Sequence, residues 1–179
     1  MQNLPENPPE NSSQPSSQLA LRKQVVEALA TGFYFGKAPV MPGTFGTLWG
    51  IPLAWALVKA GTVPYMVATV LLILFSSWIA ELHERYTAKH DPGEIVIDEV
   101  VGYLVSFTML PLTWQSYLGA FLAFRFFDIL KPFPIRAIDQ RVKGGLGTVL
   151  DDVAAGLAAN VVLQIIFTQT GWLGERWHG

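Results

Sequence analysis

Four runs of the chain, residues 38–58, 60–80, 100–124 and 153–174, contain no Asp, Glu, Lys or Arg. Each is about 20 residues long, the length that crosses a bilayer core as a helix. The same runs would also serve as buried core helices. Residues 65–80 (YMVATVLLILFSSWIA) predict the longest uninterrupted helix, which runs on into the polar segment 81–89 before Asp91-Pro92-Gly93 forces a turn. The run 100–124 is broken at Leu110-Pro111-Leu112-Thr113, and proline inside a helix costs about 3 kcal/mol. It therefore predicts two helices of about 10–15 residues meeting at a short turn, each too short to cross a bilayer alone. Upstream, Leu21, Val25, Leu29 and Phe33 recur every four residues beside Arg22, Lys23 and Glu27. They predict an amphipathic helix ending near Gly32 and Gly36, suited to a membrane surface or to packing on the body of the protein. Residues 48–58 predict a further apolar helix.

A hairpin over residues 100–124 has a topological consequence. It returns the chain to the side it left, so the basic segment with Arg125, Lys131, Arg136, Arg141 and Lys143 joins Arg22, Lys23 and Lys37. The preference of Lys and Arg for the cytoplasmic side makes that face cytoplasmic. The expected fold is all-α: a multi-helical single domain over residues 19–179, embedded in or associated with a membrane, with a central apolar hairpin. Residues 1–18, a Pro, Asn, Ser and Gln tract, are expected to form a disordered tail.

Composition narrows the chemistry. Of 179 residues, 51% are hydrophobic and only 15% charged, against about 25% charged in a soluble domain. A net charge of -2 gives no electrostatic reason to expect nucleic acid. The absence of cysteine excludes disulfides, thiolate metal sites and cysteine nucleophiles. What remains is a set of carboxylates and cations at the ends of apolar segments: Asp98 and Glu99, then Arg125, Asp128, Lys131, Arg136 and Asp139, then Asp151 and Asp152. Arg125, Asp128 and Lys131 are spaced three apart, on one helix face. Asp98 and Asp151 fall at expected helix starts, where a carboxylate also serves as a cap. Carboxylates retained beside apolar helices point to function, and all-oxygen ligation points to a hard cation, most simply Mg²⁺.

Lys37 and the following Gly- and Thr-rich loop form a second constellation. Pro42-Gly43-Thr44-Phe45-Gly46-Thr47 leads into an apolar helix, so exposed backbone N–H groups, the Thr44 and Thr47 hydroxyls and Lys37 describe an anion site. Proline, glycine and threonine also make an ordinary turn and N-cap, and the loop does not match the nucleotide-binding phosphate loop.

These motifs resemble the bacterial phosphatidylglycerophosphatase A family. The resemblance rests on P-G-T-F-G-T at 42–47, I-D-E-x-x-G at 97–102, F-R-x-x-D-x-x-K-P-x-P-I-R at 124–136 and G-G-x-G-x-x-x-D-D-x-x-A-G at 144–156, and covers about residues 32–163. It implies a helical, Mg²⁺-dependent lipid phosphatase at the bacterial cytoplasmic membrane, its active site facing the cytoplasm. Such an enzyme hydrolyses phosphatidylglycerophosphate to phosphatidylglycerol and phosphate in phospholipid synthesis. By that resemblance Asp98, Glu99, Asp128, Asp151 and Asp152 are the metal-site candidates, and Asp98, Glu99, Asp128 and Lys131 the catalytic set. Lys37, Thr44, Thr47, Arg125 and Arg136 are the substrate-binding candidates.

Other routes to phosphate monoester hydrolysis leave marks that are missing here: a C-x5-R loop, a D-x-D nucleophile, an R-H-G histidine, or the histidine set of membrane acid phosphatases. Direct attack of water on phosphorus is the simplest remaining mechanism. Two alternatives stand beside it. A CDP-alcohol phosphotransferase would carry D-G-x2-A-R-x8-G-x3-D-x3-D, which is absent. A transport protein would distribute its charges through the spans, whereas here they gather at helix ends.

Overall fold

The computed structural model describes residues 13–89 and 92–174, and among them every regular element is helical. In chain order these are α1 (Ser13–Ala30), a 3-10 turn (Phe35–Lys37), α2 (Pro42–Lys59), α3 (Thr62–Thr87), α4 (Ile97–Phe107), α5 (Trp114–Leu130), α6 (Ile135–Arg141) and α7 (Gly145–Gln169). The all-helical expectation holds, and so does the hairpin. The chain leaves α4 after Phe107, turns at Met109 in the left-handed region (φ 58°), passes Pro111 and restarts at Trp114.

α4 is the hub. It packs against α2, α3, α5 and α7, and Val101 through Phe107 are all buried. A helix apolar on every side belongs in the middle of a bundle, and this one ends inside it. Its last carbonyls are satisfied by amides from α7. The Asn160 side chain donates to the carbonyls of Ser106 (3.0 Å) and Thr108 (2.8 Å), and Gln164 donates to that of Thr108 (3.1 Å). At the start of α5, the Thr113 hydroxyl accepts from the Ser116 N–H and donates to the Leu173 carbonyl. The C-terminal turn is thereby tied to the hairpin.

The peripheral helices present large apolar side chains outward. On α5 the exposed positions Trp114, Leu118, Leu122 and Phe126 are spaced four apart, one continuous stripe. On α3 they include Met66, Val67, Val70, Leu71, Leu74 and Trp78. α3 and α7 are long and apolar enough to cross a membrane, and only 28% and 39% of their most apolar windows is buried. A soluble core helix hides such a window. Contiguous apolar surface of this extent marks contact with something other than water, and the two apolar helices suggest membrane association.

Three local expectations change. α2 begins at Pro42, not at residue 48, so the Gly- and Thr-rich motif is the first turns of the helix, with proline at its tolerated first position. α7 begins at Gly145, which places Asp151 and Asp152 about two turns inside rather than at its start. Of the spaced set on α1 and the turn after it, Leu21, Val25 and Phe33 are exposed, which fits the membrane-surface role, while Leu29 packs against the core beside buried Ala30. Residues 13–18, assigned by composition to the tail, continue α1; the rest of that expectation falls on residues outside those described.

Candidate active site

Two glycines bring the carboxylates together. Gly102 and Gly156 meet where α4 crosses α7. A Cβ on Gly156 would stand 2.3 Å from the Gly102 carbonyl oxygen, and one on Gly102 would stand 2.9 Å from the Asp152 carbonyl oxygen. Only residues without a side chain allow so close an approach. Each glycine lies four residues, one turn, beyond a carboxylate: Gly102 after Asp98, Gly156 after Asp152. The crossing therefore sets the distance between the acidic side chains above it. One carboxylate oxygen from each of Asp98, Glu99 and Asp152 lies within 4.8 Å of the other two. Asp98 and Asp152 are buried.

The first turn of α2 closes the site. A Cβ on Gly43 would stand 2.1 Å from Glu99 Oε1 and 2.8 Å from an Arg125 guanidinium nitrogen. Arg125 donates to Asp128 at 2.6 Å and lies 3.8 Å from Glu99. Asp128 is thus held at the rim of the cluster through Arg125. Glu99 Oε2 is buried and accepts no hydrogen bond. Burial first, then the neighbouring charge of Asp98, pushes the Glu99 carboxyl well above its ordinary range, while Arg125 pulls the other way. Three clustered carboxylates and a buried, unpartnered oxygen suit a hard cation, whose charge would offset that penalty.

Lys131 sits apart from Asp128. It follows α5 in the left-handed region (φ 40°), and this turns its side chain to Asp139 (2.7 Å) and Asp151 (2.6 Å). Partial burial lowers its pKa, but the hydrogen bonds to both carboxylates outweigh burial and hold the ammonium above its ordinary value. It stays charged. The structure thus divides the five candidate metal ligands: Asp98, Glu99 and Asp152 form the cluster, Asp128 pairs with Arg125, and Asp151 pairs with Lys131.

The substrate candidates also separate. Thr44 is half-buried in the first turn of α2. Thr47 is fully buried and its hydroxyl donates to the Gly43 carbonyl at 2.8 Å, so that hydrogen is engaged inside the helix. Lys37 pairs with Glu27 and lies over the Tyr34 ring. Arg136 is exposed on α6. Thr47→Val is accordingly expected to leave KM within about twofold of the parent, whereas Thr44→Val, which removes a hydroxyl from the first turn, is expected to raise it several-fold. Steady-state kinetics on the two variants distinguish them.

Sequence reasoning passed over Glu81 and Glu84. Glu81 accepts the Gly145 N–H at 2.8 Å and Glu84 accepts from the Thr148 hydroxyl at 2.6 Å. These carboxylates occupy the start of α7, so the Gly144–Gly147 run is held by the protein itself. Their signal was present: two acidic residues three apart at the polar end of the longest apolar helix.

A family model described as phosphatidylglycerophosphatase A matches residues 28–167. The chain is 39% identical to phosphatidylglycerophosphatase A of Haemophilus influenzae over 143 residues, covering 79% of this chain and 88% of that protein. It is 34% identical to phosphatidylglycerophosphatase A of Escherichia coli over 139 residues, covering 77% and 81%. A Bacteroides thetaiotaomicron relative, provisionally named a phosphatidylinositol-3-phosphatase, is 34% identical over 146 residues, covering 76% and 90%. No solved structure gives a significant match.

Proposed function

Because the chain belongs to the phosphatidylglycerophosphatase A family, we propose that it is a Mg²⁺-dependent lipid phosphatase hydrolysing phosphatidylglycerophosphate to phosphatidylglycerol and inorganic phosphate. The observation that carries this reading is the Asp98, Glu99 and Asp152 cluster set against the first turn of α2 and Arg125. Asp98, Glu99 and Asp152 would hold the cation. When bound, it supplies Lewis-acid polarisation of the phosphoryl group and a lowered pKa for water. The remaining work falls to the chain. The first turn of α2, with the Gly43 N–H and the Thr44 hydroxyl, receives phosphoryl oxygens. Arg125 matches the growing negative charge. Water adds to phosphorus, a carboxylate at the rim such as Asp128 accepts its proton, and the phosphorus–oxygen bond to glycerol breaks. The alkoxide that leaves is offset by Arg125 or Lys131 and takes up a proton to become the hydroxyl of the product.

The asymmetry of cations supports a site facing the cytoplasm of a bacterial inner membrane. Arg125, Lys131, Arg136, Arg141 and Lys143 lie toward the site end, and Lys23 lies over Tyr86 near the end of α3 on that side. At the far end, where α2 gives way to α3, Lys59 is the one Lys or Arg among the described residues. That distribution is the one the cytoplasmic bias of basic residues favours.

The purified protein in detergent is expected to release phosphate from phosphatidylglycerophosphate with Mg²⁺, to stop in EDTA and to recover when Mg²⁺ is restored. Equal or faster release from phosphatidylinositol 3-phosphate would move the substrate assignment. A CMP-dependent exchange without phosphate release would replace the phosphatase reading with the phosphotransferase.

A further inference from the structure

α2 has two faces with different surroundings. Gly43 and Gly46 face inward onto Glu99, while Phe45, Leu48 and Trp49 on the same turns are exposed. With Phe35 these three line a pocket of about 250 Å³. The pocket therefore lies on the opposite side of α2 from the carboxylate cluster. Its fourth wall is held at a conformational cost. Gly32, Phe33 and Tyr34 are consecutive residues in the left-handed region, at φ 55°, 57° and 70°, and two of them carry side chains that disfavour it. Buried Thr31 pins this bend: its hydroxyl accepts the Tyr34 N–H at 3.0 Å and its carbonyl accepts the Gly36 N–H at 2.9 Å. The result is Phe35 edge-on to Trp49 at 5.7 Å and tilted against Phe45 at 6.3 Å. Backbone strain maintained to hold an exposed aromatic wall calls for a function.

We infer that the Phe35, Phe45, Leu48 and Trp49 pocket receives an acyl chain of the lipid substrate, a role that rests on the lipid phosphatase reading. Three observations favour this occupant. The wall is wholly apolar, and at about 250 Å³ the pocket is smaller than the usual pocket for a whole small molecule, so it suits a stretch of chain. The strip continues along α2 to exposed Trp55, a path leading away from the site toward the far end of the bundle. Cations stand at the opposite, polar end, Arg125 beside Gly43 and Lys37 beside Tyr34. A molecule with an anionic head at the first turn of α2 and an apolar tail along its outer face meets complementary chemistry at both ends.

The test compares a long-chain phosphatidylglycerophosphate with its dihexanoyl analogue in detergent. Trp49→Ala is expected to raise KM for the long-chain lipid roughly tenfold relative to KM for the short one, with Trp49→Phe restoring most of the difference. Leu118→Ala, equally apolar and exposed but on α5, is expected to leave both unchanged. Equal effects of Trp49→Ala on the two substrates would overturn the assignment, as would no effect on either. An effect of Leu118→Ala matching that of Trp49→Ala would assign the strip to bulk lipid instead, and a monomer–dimer shift in Trp49→Ala would assign it to a second copy of the chain. A binding readout independent of turnover uses phosphatidylglycerol with brominated chains. Tryptophan quenching is expected in the parent protein and is expected to fall in Trp49→Phe. Quenching unchanged by that substitution would sink the pocket, whereas failure of the parent to hydrolyse either lipid would sink the phosphatase reading.

Discussion

Replacing Asp98 or Asp152 by asparagine is expected to lower kcat by on the order of a thousandfold, about 4 kcal/mol of transition-state stabilisation, while raising the melting temperature of the protein in EDTA. The two effects have one cause. Both side chains are buried, at 6% and 4% exposure, and each stands beside two other carboxylates. Without a cation, ionising them costs desolvation and mutual repulsion, the same penalty that pushes the Glu99 carboxyl up. Asparagine keeps the volume and removes the ionisable group, so the fold is relieved of that penalty while the chemistry loses a ligand. Mg²⁺ is expected to raise the melting temperature of the parent, since a ligand that binds only the folded state stabilises it, and to leave that of either variant unmoved. A merely structural role would give the opposite pattern, with melting temperature and activity falling together. Asp128→Asn should behave differently, because that carboxylate is already neutralised by Arg125 at 2.6 Å. Its loss is expected to be the smaller one in Mg²⁺ affinity.

How much of this was legible beforehand differs from residue to residue. The hairpin was legible because Pro111 leaves a local mark that packing cannot erase. Asp98 and Glu99 were legible because charge is scarce in the chain. The starts of α2 and α7 were not. Glycine runs read as loops when judged by intrinsic preference, but Gly43 and Gly145 sit inside helices that approach their neighbours closely, and that contact outweighs propensity. The partner of Lys131 was misjudged for a related reason. Helical spacing pairs it with Asp128, yet the chain leaves the helix at that residue, and the left-handed turn carries the ammonium to Asp139 and Asp151. In α1 the spacing left two roles open, a membrane surface or packing on the body, and the set divides between them: Leu21, Val25 and Phe33 are exposed while Leu29 packs against the core. Spacing alone cannot tell which members of such a stripe find a partner.

Gly156→Ala is the second substitution with a large expected effect, and it separates activity from stability by magnitude. The added Cβ would meet the Gly102 carbonyl oxygen at 2.3 Å and the Val105 Cβ at 3.0 Å. The first contact is with backbone, which no side-chain rotation relieves, so α4 and α7 must part by about 1 Å to regain van der Waals distance. Overpacking of this kind costs roughly 1–3 kcal/mol, and replacing a helical glycine by alanine returns up to about 1 kcal/mol. The folded state should therefore survive, its melting temperature only modestly lower. The carboxylates one turn away do not share that tolerance. A displacement of about 1 Å in a catalytic constellation is worth on the order of a hundredfold in rate, and the Mg²⁺ concentration for half-maximal activity is expected to rise at least about tenfold as the ligands separate. Gly119→Ala supplies the control. Its Cβ would press only on the end of the Leu163 side chain, at 3.1 Å, with Leu173 and Trp172 at an ordinary contact distance of 3.7 Å, on a part of α5 away from the cluster, and activity is expected to stay close to that of the parent. If Gly156→Ala retained both the parent rate and the parent Mg²⁺ requirement, the α4–α7 crossing would not be what sets the spacing of Asp98, Glu99 and Asp152.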